Sequence, residues 1–240
     1  QIVQVVGELD YVEQPCTEIK ELLKLRNEMS NWSVPVRIAV DESIRMSTQI
    51  DIESLQEIAD LVVVKAIPLG GVQRSLDLIN EIANQYNLIV VEDSAQSHGA
   101  ILNNRKSKNT QAFSFYPGKN LGAYGDAGCI ITNNSELAEK FKMYARHGAL
   151  KKHNHLIEGI NSRLDGIQAS ILLAKLPYIQ EWTEKRINNA KLYFENLKNN
   201  DHIILPTIRE NTKHSFHLFV IRTVKRNELS KYLNENGIET

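Results

Sequence analysis

Cysteine is almost absent: only Cys16 and Cys129 occur in 240 residues. They are far apart and in no metal-type spacing, so neither a disulfide framework nor a zinc site is indicated, and a reducing compartment such as the cytoplasm fits. Also lacking is any apolar run near the roughly 20 residues that a membrane span needs, or a basic segment followed by an apolar one at the start. The expectation is a chain without membrane insertion or secretion. Excess charge of one sign is missing too. The 28 Lys and Arg against 29 Asp and Glu leave a net charge of -1, which supplies no broad positive field for a nucleic-acid backbone. No internal repeat, low-complexity tract or charge block occurs. What is present is ordinary for a globular protein, with 42% hydrophobic and 24% charged residues, well away from the composition of disordered chains. The length allows one large domain or two small ones.

Short β-branched runs alternate with helical patterns over the first part of the chain. Leu9 to Val12, Val36 to Val40 and Leu61 to Lys65 read as strands, and Thr17 to Met29 and Ile52 to Asp60 as helices. Asp51 is placed to cap the second helix, with Leu55, Ile58 and Ala59 on one face. Arg74 to Tyr86 continues as a helix with Leu76, Ile79, Ile82, Ala83 and Tyr86 in a stripe, and the strand Leu88 to Val91 follows. This succession predicts parallel crossovers and an α/β fold. Between Glu92 and Gly128 the texture changes. Five glycines, Gly99, Gly118, Gly122, Gly125 and Gly128, surround two short strand candidates, Ala112 to Tyr116 and Ala127 to Thr132, the pattern of a loop-built site. Helices are predicted over Ser135 to His147, Leu164 to Leu176 and Ile179 to Leu197, the last presenting Trp182, Arg186, Ala190, Tyr193 and Leu197 on one face. His217 to Arg222 reads as a strand, and Arg226 to Asn236 as a helix stopped by Gly237.

Two constellations carry chemistry. Glu13, Asp41 and Lys65 each end a predicted strand, the face on which parallel barrels place catalysis. Two carboxylates there suit a magnesium ion, and a nearby ammonium adds positive charge; the plain alternative is three solvated residues where strands meet loops. The motifs Tyr-Val-Glu-Gln-Pro (Tyr11 to Pro15), Val-Asp-Glu-Ser-Ile-Arg (Val40 to Arg45) and Lys-Ala-Ile-Pro-Leu-Gly-Gly (Lys65 to Gly71) resemble o-succinylbenzoate synthase, an enolase-superfamily lyase of menaquinone synthesis, over about residues 1 to 80. That resemblance implies Glu13 and Asp41 as magnesium ligands and Lys65 as a residue over one face of the substrate. The family's Lys-x-Lys motif and first metal-binding aspartate have no counterpart, so this segment is expected to be inactive as a lyase.

The second constellation is Asp93, directly after a predicted strand, and Lys119, 26 positions later in a glycine-rich loop. A carboxylate against a pyridine nitrogen and a lysine that condenses with an aldehyde are the pair that pyridoxal phosphate requires; the plain alternative is a helix-capping aspartate and a solvated loop lysine. Three motifs surround the pair. They are Val-Glu-Asp-Ser-Ala-Gln-Ser-His-Gly-Ala (Val91 to Ala100), Phe-Ser-Phe-Tyr-Pro-Gly-Lys-Asn-Leu-Gly-Ala-Tyr-Gly-Asp-Ala-Gly (Phe113 to Gly128) and Gly-Ile-Asn-Ser-Arg-Leu-Asp-Gly-Ile-Gln-Ala (Gly159 to Ala169). From about residue 76 onward they resemble the DegT/DnrJ/EryC1/StrS sugar aminotransferases, of fold type I. The resemblance implies Lys119 as the cofactor-linking lysine, Asp93 at the ring nitrogen, Gln96 at the ring hydroxyl, Ser114 at the phosphate, and Asn161 reaching the cofactor phosphate of a second subunit in a homodimer. It also implies amino transfer, usually from glutamate, to a nucleotide-linked keto sugar. The family's Ser-Gly-Thr phosphate loop has no counterpart before Asp93, which predicts weak cofactor binding. His98 and His147 are taken as scaffold residues and Cys129 as packing.

Together the two resemblances predict a mosaic: a partial barrel of β/α units over 1–75, part of an aminotransferase large domain over 76–150, and a helical linker with part of a small domain over 151–240. The junction falls within Val72 to Tyr86. A start at Gln1 rather than Met reads as processing or as a piece of a longer chain, and the mosaic as either a recombined frame or an evolved fusion.

Overall fold

The computed structural model describes residues 10–31, 36–45, 52–103 and 107–240. Two compact units divide it, Gln1–Val90 and Val91–Thr240.

In the first unit, β1 (Tyr11–Glu13), β2 (Arg37–Val40) and β3 (Leu61–Val62) form a parallel sheet in that order. Tyr11 pairs with Arg37 and Glu13 with Ala39, and Ala39 pairs with Leu61. Helices α1 (Ile19–Met29), α2 (Glu42–Arg45), α3 (Ile52–Ile58) and α4 (Val72–Tyr86) complete the unit. The alternation predicted from sequence is therefore observed, and the crossovers are parallel. The core gathers Leu22 from α1, Ile38 and Val40 from β2, Ile44 from α2 and Ile58 from α3, all with almost no exposed surface. Each contributes about 1.5–3 kcal/mol relative to exposure. Leu55, Ile58 and Ala59 face this core as expected. On α4 the buried stripe is Ser75, Leu78 and Ile82, with the expected Leu76, Ile79, Ala83 and Tyr86 only half-buried at its flanks. Asp51 and Leu9 lie outside the described residues. Three strands make an open sheet, and no barrel closes among the described residues.

The strand expected at Leu88 to Val91 begins later. Asn87 takes a left-handed conformation at φ 49° and the Leu88 amide still donates to the Ala83 carbonyl, so the chain is leaving the helix over those residues. The strand is β4 (Val91–Asp93), in the second unit. It pairs in parallel with β6 (Thr110–Ser114), which pairs antiparallel with β7 (Gly128–Ile131). Between β4 and β6 lies β5 (Ile101–Leu102). After β7 come α5 (Ser135–Tyr144), the hairpin β8 (Ala149–Lys151) and β9 (Asn154–His155), α6 (Gly166–Lys175) and α7 (Ile179–Leu197). The chain ends with β10 (Thr212–Lys213), which pairs with β5, and α8 (Arg226–Glu235). Asn134 caps α5 by accepting from the Leu137 amide at 3.1 Å. That helix stops short of His147, because Arg146 pairs with Asn161 and His147 turns left-handed at φ 57°. Gly237 ends α8 at φ 76°, as a left-handed C-terminal glycine should. His217 to Arg222 is not a strand. Its Phe219 docks on Tyr193 and Phe194 of α7 at ring separations of 5.0 and 5.2 Å, and its backbone bridges the chain only between Arg222 and Ile204. No described helix is long and apolar enough to cross a membrane.

Candidate active site

The register of the second sheet sets the site. Asp93 is the last residue of β4 and pairs with Ala112 of β6, and Ser114 ends β6 opposite Gly128 of β7. Lys119 lies in the loop that joins β6 to β7. That loop closes on itself: the Lys119 amide donates to the Tyr116 carbonyl at 2.9 Å, the Ala123 amide to the Phe115 carbonyl at 2.7 Å, and Lys175 Nζ of α6 to the Gly122 carbonyl at 2.7 Å. Gly122 is required there, because a Cβ would strike the backbone carbonyl of Pro117, whereas Gly118 beside the lysine faces open space. Leu121 and Ala123, from the same loop, pack with Leu172 of α6 into the small core of this unit. A lysine on such a loop is held by its own backbone and by packing, with its side chain half-buried.

The two neighbouring acids of β4 are used differently. Glu92 accepts from Ser107 Oγ at 2.6 Å, Asn109 Nδ2 at 2.8 Å and Gln111 Nε2 at 3.3 Å, so its carboxylate is occupied by the fold. Asp93 accepts only the Ala95 amide, through Oδ1 at 3.0 Å, and no cation pairs with it among the described residues. Lys119 Nζ likewise has no acceptor among them. Gln96 is exposed with a free side-chain amide, and its carbonyl takes a bond from Ser215 Oγ at 3.3 Å. Ser114 Oγ accepts the Tyr116 amide at 3.2 Å, which leaves its hydroxyl proton to donate. A free amine, a free carboxylate, a hydroxyl and an amide at adjacent strand ends, with glycine clearing the approach, are the donor set that pyridoxal phosphate needs.

A buried polar group escaped the sequence reading. Asn120 donates to the Ser215 carbonyl at 3.3 Å, and its Oδ1 meets His217 Nδ1 at 3.1 Å. His98 is buried between Phe113 and Phe115, with ring centroids at 5.3 and 5.8 Å, and neither ring nitrogen has a partner among the described residues. Burial, with the charges of His217 and Lys119, pushes His98 below the usual imidazole range. The same burial, with Lys119 and Arg186, pushes His217 down. His98, expected to be a hydrogen-bonding scaffold residue, is held instead by burial against two aromatic rings, with no hydrogen bond to either nitrogen among the described residues. Ser215 and His217 lie 95 or more residues from Lys119 and its neighbour, in a stretch with no local motif, so only folding brings them here. Cys129 of β7 is half-buried, and burial raises its thiol, consistent with packing. Asn161 is elsewhere in the unit. It bridges Arg146, accepts from Arg163 Nε at 3.0 Å, and makes no bond to Asp93, Gln96, Ser114 or Lys119.

In the first unit the strand ends converge as the sequence suggested, but as an ion-pair cluster. Lys65 Nζ lies 2.5 Å from Asp41 Oδ2 and 3.1 Å from Glu13 Oε1. Asp41 is 2% exposed. The hydrogen bonds that Lys65 donates to Asp41 and then to Glu13 raise the lysine above its usual range. The ammonium stands between the two carboxylates expected to hold magnesium, and no cluster of three or more His, Cys, Asp or Glu fit for a metal occurs among the described residues.

Comparison with known proteins agrees with the aminotransferase resemblance. Residues 33–240 match the DegT/DnrJ/EryC1/StrS aminotransferase family. The chain is 39% identical over 177 residues to the dTDP-3-amino-3,4,6-trideoxy-alpha-D-glucose transaminase of Streptomyces venezuelae, covering 72% of this chain and 47% of that protein. It is 40% identical over 180 residues to the dTDP-3-amino-3,6-dideoxy-alpha-D-galactopyranose transaminase of Aneurinibacillus thermoaerophilus, covering 74% and 49%. Among solved structures, DesV of S. venezuelae in complex with a ketimine intermediate superposes with a TM-score of 0.70 at 31% identity, over 99% of this chain and 64% of that one. NtdA of Bacillus subtilis with bound cofactor PMP superposes with a TM-score of 0.63 at 27% identity, over 98% and 55%. The chain belongs to the DegT/DnrJ/EryC1/StrS aminotransferase family and has the α/β fold of its members. It spans about half the length of the curated relatives it matches.

The match begins at residue 33 and runs through the junction expected at 72 to 86. Nothing in these comparisons supports the o-succinylbenzoate synthase resemblance of residues 1 to 80, the mosaic, or a magnesium role for Glu13 and Asp41.

Proposed function

We propose that this chain carries the lysine-bearing part of a pyridoxal-phosphate-dependent aminotransferase that moves an amino group, taken from glutamate, to a nucleotide-linked keto sugar. The observation that carries the reading is that Lys119, on the loop leaving β6, and Asp93, at the end of the neighbouring strand β4, each lack an ionic partner among the described residues, while the adjacent Glu92 is fully engaged. The relatives named above are sugar transaminases, and they support the substrate class. Bound pyridoxal phosphate supplies an electron-accepting ring that stabilises negative charge on the carbon losing its proton. Asp93 would hold the ring nitrogen, with Oδ1 oriented by the Ala95 amide and Oδ2 left to accept. Lys119 would bond to the cofactor aldehyde and then, as a free amine, take up and return the proton on the reacting carbon. Gln96 would meet the ring hydroxyl and Ser114 the phosphate. Asn161 would serve the site of a second copy, in a homodimer. No Ser-Gly-Thr run occurs in these 240 residues. Losing several phosphate hydrogen bonds of about 1.5–3 kcal/mol each weakens cofactor affinity by several powers of ten, so the 240-residue chain alone is proposed to turn over no sugar.

Incubation with pyridoxal phosphate, borohydride reduction and peptide mapping test the reading. Lys119 should carry the reduced adduct, and Asp93→Asn should lower its yield more than Glu92→Gln does. Adduct spread evenly over many lysines would refute the assignment. A purified yellow chain that aminates a nucleotide-linked keto sugar would refute the proposed inactivity.

A further inference from the structure

The buried amide of Asn120 has no part in the roles above, yet it belongs to a network that joins the two loops carrying the proposed cofactor groups. Each loop is held mainly by itself. In the loop after β4 the Ala95 amide donates to Asp93 Oδ1 at 3.0 Å, and the Ser97 amide and hydroxyl donate to the Ser94 carbonyl at 3.1 and 3.2 Å. The loop after β6 closes through the amides of Lys119 and Ala123. Among the described residues no hydrogen bond runs directly from 95–100 to 116–123.

A third segment, Ser215 to His217, makes the link from beyond α7. Ser215 Oγ donates to the Gln96 carbonyl at 3.3 Å, the Ser215 carbonyl accepts from Asn120 Nδ2 at 3.3 Å, and His217 Nδ1 lies 3.1 Å from Asn120 Oδ1. Ser215 and Asn120 are 2% and 4% exposed, so water competes little for these bonds. The pattern also places a proton. Because Asn120 directs Nδ2 at a carbonyl, its Oδ1 is left to accept, and His217 Nδ1 must carry the hydrogen. Phe216, between the two, takes φ 43°, a left-handed conformation that a bulky residue rarely adopts. Its amide donates to His214 Nδ1 at 2.9 Å, and its ring packs on His214, Phe219 and Phe194 at centroid separations of 4.3, 6.1 and 6.4 Å. This turn brings the Ser215 carbonyl and the His217 ring to one side chain, and backbone strain kept in place by surrounding packing is a feature of functional sites.

We propose that Asn120, Ser215 and His217 form a brace that holds the Lys119 loop in register with the loop of Asp93 and Gln96, so that the amine meets an aldehyde whose ring those two residues hold. This rests on the cofactor reading above. The three are positioning residues, since none is assigned to the cofactor and each acts through a neighbour. A lysine that condenses with any small aldehyde needs only its amine. One that condenses with a ring fixed at two other points needs the loops correctly placed as well. Loss of the brace therefore spares the first reaction and impairs the second.

Two reagents separate these reactions on the 240-residue chain. Pyridoxal phosphate with borohydride reads the held ring, and formaldehyde with cyanoborohydride methylates an amine without reference to any ring. Peptide mapping gives the label at Lys119 relative to that at the exposed Lys198. Asn120→Ala and His217→Leu should lower pyridoxal phosphate labelling of Lys119 about 5- to 10-fold, as the loss of one or two hydrogen bonds does, while its methylation changes by less than about twofold. His217→Asn should restore the labelling, because an amide donor then stands where Nδ1 stood. His217 is half-buried, and its two variants carry the test if Asn120→Ala does not fold. Pyridoxal phosphate labelling unchanged in His217→Leu, methylation of Lys119 falling in step with it, or His217→Asn labelling as poorly as His217→Leu would each overturn the brace. Label spread evenly over the lysines of the wild-type chain overturns the cofactor reading and the brace with it. Label concentrated at Lys119 in the wild-type chain and equally in every variant overturns the brace alone.

Discussion

Replacing Asp60 by alanine should destabilise the first unit far more than a surface ion pair accounts for. The Asp60 carboxylate accepts Arg26 Nη1 at 2.7 Å, Arg26 Nη2 at 2.9 Å and the Ile38 amide at 2.9 Å, while the Asp60 amide donates to the Ile38 carbonyl at 2.8 Å. The Arg26 part is bidentate but partly exposed, at 34% and 26% for the two side chains, and is worth about 0.5–1 kcal/mol. The Ile38 part differs, since that residue has no exposed surface and an amide left unpaired there costs about 1–3 kcal/mol. Asp60→Ala should therefore lose about 1.5–4 kcal/mol, Asp60→Asn about 1 kcal/mol because an acceptor for Ile38 remains, and Arg26→Ala about 0.5–1 kcal/mol. Urea unfolding gives the three values, and hydrogen exchange of the Ile38 amide locates the effect. Burial opposes ionisation of Asp60, but the bonds from Arg26 and Ile38 and the charges of Arg26 and Arg37 outweigh it and hold the carboxyl below its usual range. Its contribution is then complete above the ordinary carboxylate range and is lost as pH falls through the folded value. If Asp60→Ala costs no more than Arg26→Ala, or leaves Ile38 exchange unchanged, the account of that amide is wrong.

Gly122→Ala forces a Cβ into the Pro117 carbonyl; it should cost about 1–3 kcal/mol in thermal unfolding and abolish labelling of Lys119, whereas Gly118→Ala should do neither. The second unit should lose stability as pH falls below the usual imidazole range. Burial lowers His98, His214 and His217, so the unfolded chain binds more protons in that window. His98→Phe should remove part of this slope, and urea midpoints that stay flat from pH 8 to about 5 would contradict the burial argument. Magnesium chloride should move the unfolding midpoint no more than sodium chloride of equal ionic strength, because Lys65 already neutralises Glu13 and Asp41; a specific rise would show that the lysine yields to the ion.

Local pattern was enough for the alternation of strands and helices, since β-branched runs and helical stripes are properties of neighbouring residues. It located β2, α1, α3, α7 and α8 to within a few residues. The family was also legible from the motifs around Asp93 and Lys119, because each motif is contiguous in the chain. Pattern failed where a segment's partner lies far away. Phe219 reads as strand in its own neighbourhood, yet it is drawn onto α7 by ring packing. Glu13 and Asp41 read as ligands of an ion with Lys65 beside it, but the parallel register places the ammonium between the carboxylates. The freedom of Asp93 beside an engaged Glu92, the burial of His98, and the gathering of Gln96, Asn120, Ser215 and His217 depend on contacts between residues tens of positions apart. Chain order carries no record of those distances. They exist only once the backbone hydrogen bonds of the sheets have closed.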